Sequence, residues 1–135
     1  MEVTSKNRYI EAVGRRKTAT ARVRITPSTK ATFTINDKEV KDYFSTEELQ
    51  MISQEALAKS EIGEKFTVTV HVNGGGIHAQ AEAVRHGLSR TLVLRDEQVK
   101  NNLKKLGFLK RDARKVERKK FGLKKARKAP TWSKR

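Results

Sequence analysis

The chain is 135 residues long and carries a formal net charge of +16, with 31 Lys or Arg against 15 Asp or Glu. It contains no cysteine, which excludes disulfides, thiolate chemistry and cysteine-based zinc sites. The N-terminal sequence MEVTSKNRYI has no apolar core, so we expect neither a signal peptide nor a transit peptide. No apolar run approaches the roughly 18 residues that a membrane-spanning helix needs. A charge of this size and sign indicates an anionic polymer or surface as the partner.

The positive charge is concentrated near the C-terminal end. Residues 101–135 hold fifteen Lys or Arg and two acids, Asp112 and Glu117, for a net +13, which leaves only +3 for residues 1–100. A one-signed block with few apolar residues repels itself and stays extended until a polyanion neutralises it. We therefore predict a globular body over residues 1–106 and an extended basic tail over residues 107–135.

Four runs of the body predict β-strands. The clearest alternations lie at Thr18–Ile25 and at 66–72, where every second residue is apolar, as in a half-buried strand. The polar face of the first of these carries Arg22 and Arg24. An Asn36-Asp37 pair predicts a turn. The four predicted strands are 9–13, 18–25, 31–35 and 66–72.

Helical signals separate and follow these strands. Val40, Tyr43 and Phe44 suit a single amphipathic turn, and Ser45 stands three residues before Glu48, the spacing of a capping box. The helix that follows is predicted to bury Leu49, Ile52 and Ala56 and to end near residues 62–63.

Two further helices are predicted after the last strand. The long one has an apolar stripe at Ile77, Ala81, Val84, Leu88 and Leu92, and Arg85, Arg90 and Arg95 lie along it. The second helix is predicted to have Asp96 as N-cap, Gly107 just past its end, and Val99, Leu103 and Leu106 facing inward. The order β-β-β-α-β-α-α-tail predicts an α+β fold of two layers, a four-stranded sheet with helices on one face.

The glycine run Gly74–Gly76 lies between a predicted strand and a predicted helix. Backbone N–H groups there can approach a phosphate, with the helix N-terminus adding a favourable field. The other interpretation is a tight turn that needs positive φ. The run is neither a Walker A loop nor a dinucleotide-binding motif, because the required spacing is missing.

His78, Glu82 and His86 fall at i, i+4 and i+8 of the long helix. They are the visible ligands for a metal and the visible acid or base groups for a nuclease. At about 1.5 Å per residue the outer two are too far apart for one ion. The alternative is a solvated polar stripe, so we expect no metal site, no cofactor and no enzyme.

Two basic regions, Arg15–Arg24 and Lys104–Arg135, are the strongest functional signal. DNA, RNA and an anionic membrane all fit their charge. The tail has no apolar helical face for a membrane, and the chain has no helix-turn-helix, zinc-finger or zipper pattern for specific DNA. RNA suits a tail that folds on binding, although a nonspecific DNA-compacting protein stays an alternative. Trp132 suits either stacking on a base or packing on another surface.

The chain resembles the family of the ninth protein of the small ribosomal subunit, in its bacterial form. The resemblance covers residues 9–135 in order. Two departures are Ala79, where the family usually has glycine, and Trp132, where it usually has phenylalanine. The motifs that carry it are GRRKTA at 14–19 with ARV at 21–23, GGG at 74–76 with QA at 80–81, GLSR at 87–90, RDAR at 111–114, ERKKFG at 117–122, ARKAP at 126–130 and SKR at 133–135.

The resemblance implies the fold of domain two of ribosomal protein S-five, with a left-handed crossover. It also implies a place in the head of the small subunit in the cytoplasm, bound to ribosomal RNA beside other ribosomal proteins. There the tail reaches the anticodon stem-loop of peptidyl-site tRNA through Ser133, Lys134 and Arg135. The residues that we predict to bind ribosomal RNA are Arg15, Arg16, Lys17, Arg22, Arg24, Gly74, Gly75, Gly76, Arg90, Arg111, Arg114, Arg118, Lys119, Lys120, Lys124, Lys125, Arg127 and Lys128.

Overall fold

A computed structural model describes residues 8–134 of the chain. The elements are β1 Ile10–Arg16, β2 Ala19–Pro27, β3 Thr32–Ile35, β4 Lys38–Glu39, α1 Val40–Tyr43, α2 Glu47–Ser60, β5 Phe66–Asn73, α3 Ile77–Arg95, a 3₁₀ turn Glu97–Val99 and α4 Lys100–Lys105. The architecture is α+β, with one mixed sheet in the order β1-β2-β5-β3-β4. Strand β2 pairs antiparallel with β1 and with β5, whereas β3 runs parallel to β5.

The alternation predicted for β2 and β5 is confirmed. Ala19, Ala21, Val23 and Ile25 of β2 are fully buried, and the four apolar residues of β5 are buried beside them. Helix α3 packs on this face across β1 and β2, and α2 packs against α3. The polar side chains of the opposite face are exposed or partly buried, and Arg22 is exposed. The predicted arrangement of helices over one face of a sheet is therefore confirmed.

The sheet has five strands, so the predicted count of four is wrong. Asn36 and Asp37 both adopt positive φ, 49° and 65°, which is the geometry of a two-residue hairpin turn. The turn pairs Ile35 with Lys38 and creates β4. This strand is only two residues long and both residues are exposed, so it carries no apolar alternation that the sequence could reveal.

The helix ends agree with the sequence at some positions and not at others. Helix α2 begins after Thr46 with no side-chain cap, so the capping box predicted at Ser45 is wrong. The Asp96 cap is confirmed, because its carboxylate accepts a hydrogen bond from the Gln98 N–H. Leu106 is 46% exposed, contrary to the prediction that it faces inward.

Gly107 ends α4 as predicted. Its φ is +79°, and its N–H donates to the Lys104 carbonyl while the Phe108 N–H donates to the Leu103 carbonyl. These two bonds form a Schellman motif, in which the residue after the glycine packs back on the helix. Phe108 and Leu103 are both buried in the core. The motif thus turns the chain out of α4 while keeping it against the body.

Strand β1 and helix α3 approach each other at two glycines. A Cβ on Gly14 would lie 1.9 Å from the Ala83 carbonyl oxygen and 2.2 Å from the Gly87 nitrogen. A Cβ on Gly87 would lie 2.8 Å from a methyl of Val23. No side chain larger than hydrogen fits, because backbone packs directly on backbone. This contact brings the functional side chains of β1 and α3 within reach of each other.

Between Leu106 and Lys134 the structure contains no helix or strand. The core nevertheless extends to Phe108, and Leu109 packs against it. The division of the chain at residue 107 and the extended state of the tail stay predictions. In the described part of the chain, no helix has the length and apolar character needed to span a membrane.

Candidate nucleic-acid interface

The outer face of the sheet presents Arg22 and Arg24 on β2. Arg24 Nε donates to a Glu11 carboxylate oxygen at 2.9 Å, and Arg22 Nε lies 3.9 Å from the other oxygen of that carboxylate. The Arg24 guanidinium also lies 4.5 Å from the centre of the Tyr9 ring. One carboxylate therefore serves two guanidinium groups, which leaves a positive charge fixed on a rigid strand.

The glycine loop lies beside this face. Gly74 and Gly75 have φ of 75° and 66°, which confirms the interpretation as a turn that needs positive φ. A Cβ on Gly74 would lie 2.6 Å from the Thr18 carbonyl oxygen. The Gln80 amide donates to the Gly74 carbonyl at 3.0 Å and holds the exposed loop in place. Its contact with a phosphate stays a prediction.

The outer edge of β1 is covered by two side chains of α3. The Arg15 N–H donates to His86 Nδ1 at 3.2 Å, and Arg90 Nη1 donates to the Val13 carbonyl at 2.5 Å. Edge strands carry unpaired backbone groups, and His86 and Arg90, one helical turn apart, satisfy two of them. His86 Nε2 in turn lies 3.3 Å from the Leu109 carbonyl oxygen. His86 therefore bridges the body and the start of the tail as a neutral imidazole with its hydrogen on Nε2.

A second set of contacts, which we name the clasp, joins Arg16, Glu82, Asp112 and Arg114. Arg16 Nε donates to Glu82 at 2.7 Å, its Nη2 lies 3.8 Å from Asp112, and its Nη1 donates to the Arg114 carbonyl. The Arg16 side chain is only 13% exposed. Its guanidinium is thus occupied by protein groups of α3 and of residues 108–114, which we name the tail root. Its predicted contact with RNA stays a prediction.

The polar stripe on α3 is not the solvated stripe that the sequence suggested. Glu82 faces Arg16 and His86 faces the β1 edge, while His78 is 59% exposed and lies 3.8 Å from Glu82. The described residues contain no group of three His, Asp or Glu positioned to hold a metal. The three side chains instead have separate structural partners.

The pKa directions agree with these contacts. Burial lowers the pKa of His86, and the nearby Arg90 and Arg111 lower it further, against the raising effect of its bond to the Leu109 carbonyl. Hydrogen bonds from the Arg114 side chain and backbone hold the pKa of Asp112 well below its usual range. Asp112 raises the pKa of Arg114 in return. His86 is therefore neutral and Asp112 ionised at neutral pH.

Three arginines line one recess where β1, α3 and the tail root come together. Arg15, Arg90 and Arg111 line one recess together with His86, Val13 and Leu109. Among the described residues that line it, none is a carboxylate. We name this cluster the arginine recess. It combines Arg15 and Arg111, which belong to separate basic regions of the sequence, with Arg90 of α3.

Beyond the tail root, the tail has little contact with the body. Val116, Phe121 and Trp132 are 88%, 98% and 82% exposed. Glu117 pairs within the tail, with Lys120 and with Arg127 at 2.9 Å. Ser133 and Lys134 are exposed, and Arg135 lies outside the described residues. The other predicted RNA-binding residues of this segment, all exposed, are Arg118, Lys119, Lys124, Lys125 and Lys128.

Sequence reasoning missed the partners of these cations. The Arg16–Glu82 pair joins positions 66 residues apart, and the Arg15–His86 bond joins positions 71 apart. Nothing in the local pattern relates them, because the approach of Gly14 to Gly87 brings them together. The sequence feature that could have indicated this approach is the glycine in each segment, Gly14 in β1 and Gly87 in α3.

Comparison with known protein families gives one match over most of the chain. Residues 14–135 match the family model described as ribosomal protein S9/S16. The matched region includes β2 to α4, the tail root and the whole tail.

Proposed function

The chain belongs to the ribosomal protein S9/S16 family, and from this premise we propose that its tail links a body bound to ribosomal RNA with the tRNA in the peptidyl site. Membership confirms the predicted family and makes the chain a structural protein of the small ribosomal subunit, located in the cytoplasmic ribosome, that binds ribosomal RNA. The place in the subunit head, the neighbouring proteins, the bacterial form and the reach to tRNA are parts of the proposal.

The body docks through its rigid basic surface. Arg22 and Arg24 stand on a strand that is hydrogen-bonded on both sides, and Lys17 and the glycine loop lie exposed at the end of the same sheet. Guanidinium groups bind phosphate oxygens in a planar, two-point geometry. Contacts of this kind position a protein on RNA without reading its sequence.

The single observation that carries the proposal is the state of the tail. Its cations outnumber its acids, and its apolar side chains Val116, Phe121 and Trp132 are almost fully exposed. The positive charges of such a segment bind phosphates, and exposed aromatic rings stack on bases or pack against apolar surfaces. Extended, the 29 residues of the predicted tail reach on the order of 100 Å. A body on the subunit surface can therefore touch a distant site through the tail.

The test replaces the two terminal cations, Lys134→Ser with Arg135→Ser. Its matched control is Lys124→Ser with Lys125→Ser, which removes the same charge from the middle of the tail. We expect subunits to assemble with either variant. Peptidyl-site tRNA affinity, measured by filter binding, should fall roughly three- to tenfold for the terminal variant only, because one or two charge-assisted contacts are lost.

Equal tRNA affinity for the terminal variant and the unchanged chain would contradict the assignment of the tip. An equal loss for both variants would indicate a general charge effect instead.

A further inference from the structure

We propose that the arginine recess binds one phosphate group of RNA and that this phosphate fastens the tail root to the body. The inference rests on the proposed function, since it takes RNA as the source of the phosphate. It goes further, because it joins residues of β1, α3 and the tail into one site.

The recess has the composition of an anion site. Arg15, Arg90 and Arg111 face a space of about 450 Å³, large enough for a phosphate with part of its water shell. The two acids nearby are engaged elsewhere, Glu82 by Arg16 and Asp112 by Arg114. Three positive charges around one recess that no carboxylate lines make an anion there electrostatically favourable.

Each arginine is held at the recess by a different element. Arg90 is fixed by its bond to the Val13 carbonyl, and Arg111 Nη2 lies 3.5 Å from the Lys17 carbonyl oxygen. Arg15 lies on β1, and its own backbone N–H donates to His86. The site is therefore complete only while the tail root lies against β1.

A phosphate in the recess would cross-link the two parts of the chain. It would accept hydrogen bonds from Arg15 and Arg90 on the body and from Arg111 on the tail root. In the free chain the same junction is held by the His86–Leu109 bond and by the clasp. RNA binding would thus fix the direction in which the tail leaves the body.

His86 provides the measurement, because it lines the recess and its imidazole responds to the charge there. An anion among the three arginines would offset the repulsion that a protonated His86 feels from Arg90 and Arg111, so its pKa would rise. The charged groups that face His86 are Arg15 and Arg16 from β1, Glu82, Arg85 and Arg90 from α3, and Lys110, Arg111, Asp112 and Arg114 from the tail root.

The experiment titrates the histidines of the full chain by NMR with added inorganic phosphate, at an ionic strength held constant with chloride. We expect the His86 pKa to rise more than those of His71 and His78. We expect Arg15→Gln and Arg90→Gln each to lower phosphate affinity by about tenfold, and the control Arg95→Gln, on the same helix but paired with Glu64, to leave it unchanged. Arg15 is exposed, so its variant tests the site without endangering the fold.

An equal shift of all three histidines, or the same affinity in Arg15→Gln and Arg95→Gln, would overturn the site. Binding of the full chain to small-subunit ribosomal RNA is measured in parallel. RNA binding without the selective His86 response would refute the site and leave the proposed function standing. A selective response to inorganic phosphate but none to RNA would refute RNA as the source, and with it the link between this site and the proposed function.

Discussion

The body and the predicted tail of this chain differ in charge and in burial. Residues 1–100 carry a net charge of only +3 and bury a core of apolar side chains between sheet and helices, which depends on close packing. The tail carries most of the charge, buries almost nothing beyond Leu109 and leaves its aromatic rings exposed. Packing is nearly indifferent to salt, whereas binding by phosphate contacts is strongly weakened by it. We therefore expect the stability of the body to depend on packing and RNA binding by the tail to depend on salt.

The junction between the body and the tail is held both by apolar packing and by polar and charged contacts. Phe108 is buried and the Arg85 guanidinium lies 4.8 Å from the centre of its ring, while the clasp and His86 hold the residues that follow. Apolar burial, ion pairs and a hydrogen bond from a neutral imidazole therefore all act on the seven residues of the tail root. Three changes compare the packing of the body with the clasp and with His86 at the junction.

The largest effect is expected from Gly14→Ala in the body. The added methyl would overlap the backbone of α3, so strand and helix must separate. We expect a loss of about 3 kcal/mol or more in the free energy of unfolding, measured by urea denaturation followed by circular dichroism. Gly63→Ala is the control, because no atom lies within 4 Å of its added Cβ. Equal stability of the two variants would show that the backbone contact does not hold the body together.

An intermediate effect is expected from Glu82→Gln in the clasp. The change leaves Arg16 without its nearest carboxylate, and we expect a loss of about 1–2 kcal/mol in unfolding free energy. Trypsin should also cut faster after Lys110 and Arg111, because the tail root detaches more often. Glu11→Gln is the control, since Glu11 makes an ion pair of 2.9 Å with Arg24 and does not belong to the clasp. Equal cleavage rates in the two variants would mean that the clasp does not hold the tail.

The smallest effect is expected from the titration of His86. Its pKa is lowered in the folded chain, so the unfolded chain binds a proton more readily. The stabilising contribution of the neutral imidazole is therefore present above its ordinary pKa and is lost as the pH falls through the lower, folded value. Unfolding midpoints in urea at pH 7 and pH 5 should show a decrease that His86→Gln reduces and His78→Gln does not. A decrease of the same size in all three proteins would contradict this role for His86.

Local sequence patterns correctly predicted the features that depend on neighbouring residues in the chain or on burial of one face in the core. The alternation of β2 and β5, the Asp96 cap and the Gly107 end of α4 are of this kind. The membership in the family was also predicted correctly, from motifs spread over the whole chain.

The features that sequence reasoning missed depend on tertiary contacts. Strand β4 forms because a hairpin turn pairs it, without any apolar residue of its own. Leu106 fits the helical period, but the chain leaves the helix at Gly107 before the residue is covered. Glu82 and His86 looked like a solvated or metal-binding stripe because their partners, Arg16 and the Arg15 N–H, come from a strand about 70 residues earlier. Periodicity shows which side of a helix is apolar, but it does not show what packs against the other side.

The most direct test of the difference between body and tail compares the salt dependence of RNA affinity for the full chain and for a chain ending at Lys115. The shorter chain keeps the clasp and the arginine recess but loses nine Lys or Arg and one Glu. Because each neutralised phosphate contributes roughly 0.7 to 0.9 to the slope of log affinity against log salt, we predict that the slope falls by several units. The unfolding free energy of the body should stay unchanged. Equal slopes for the two chains would contradict the assignment of the tail as the RNA-binding arm.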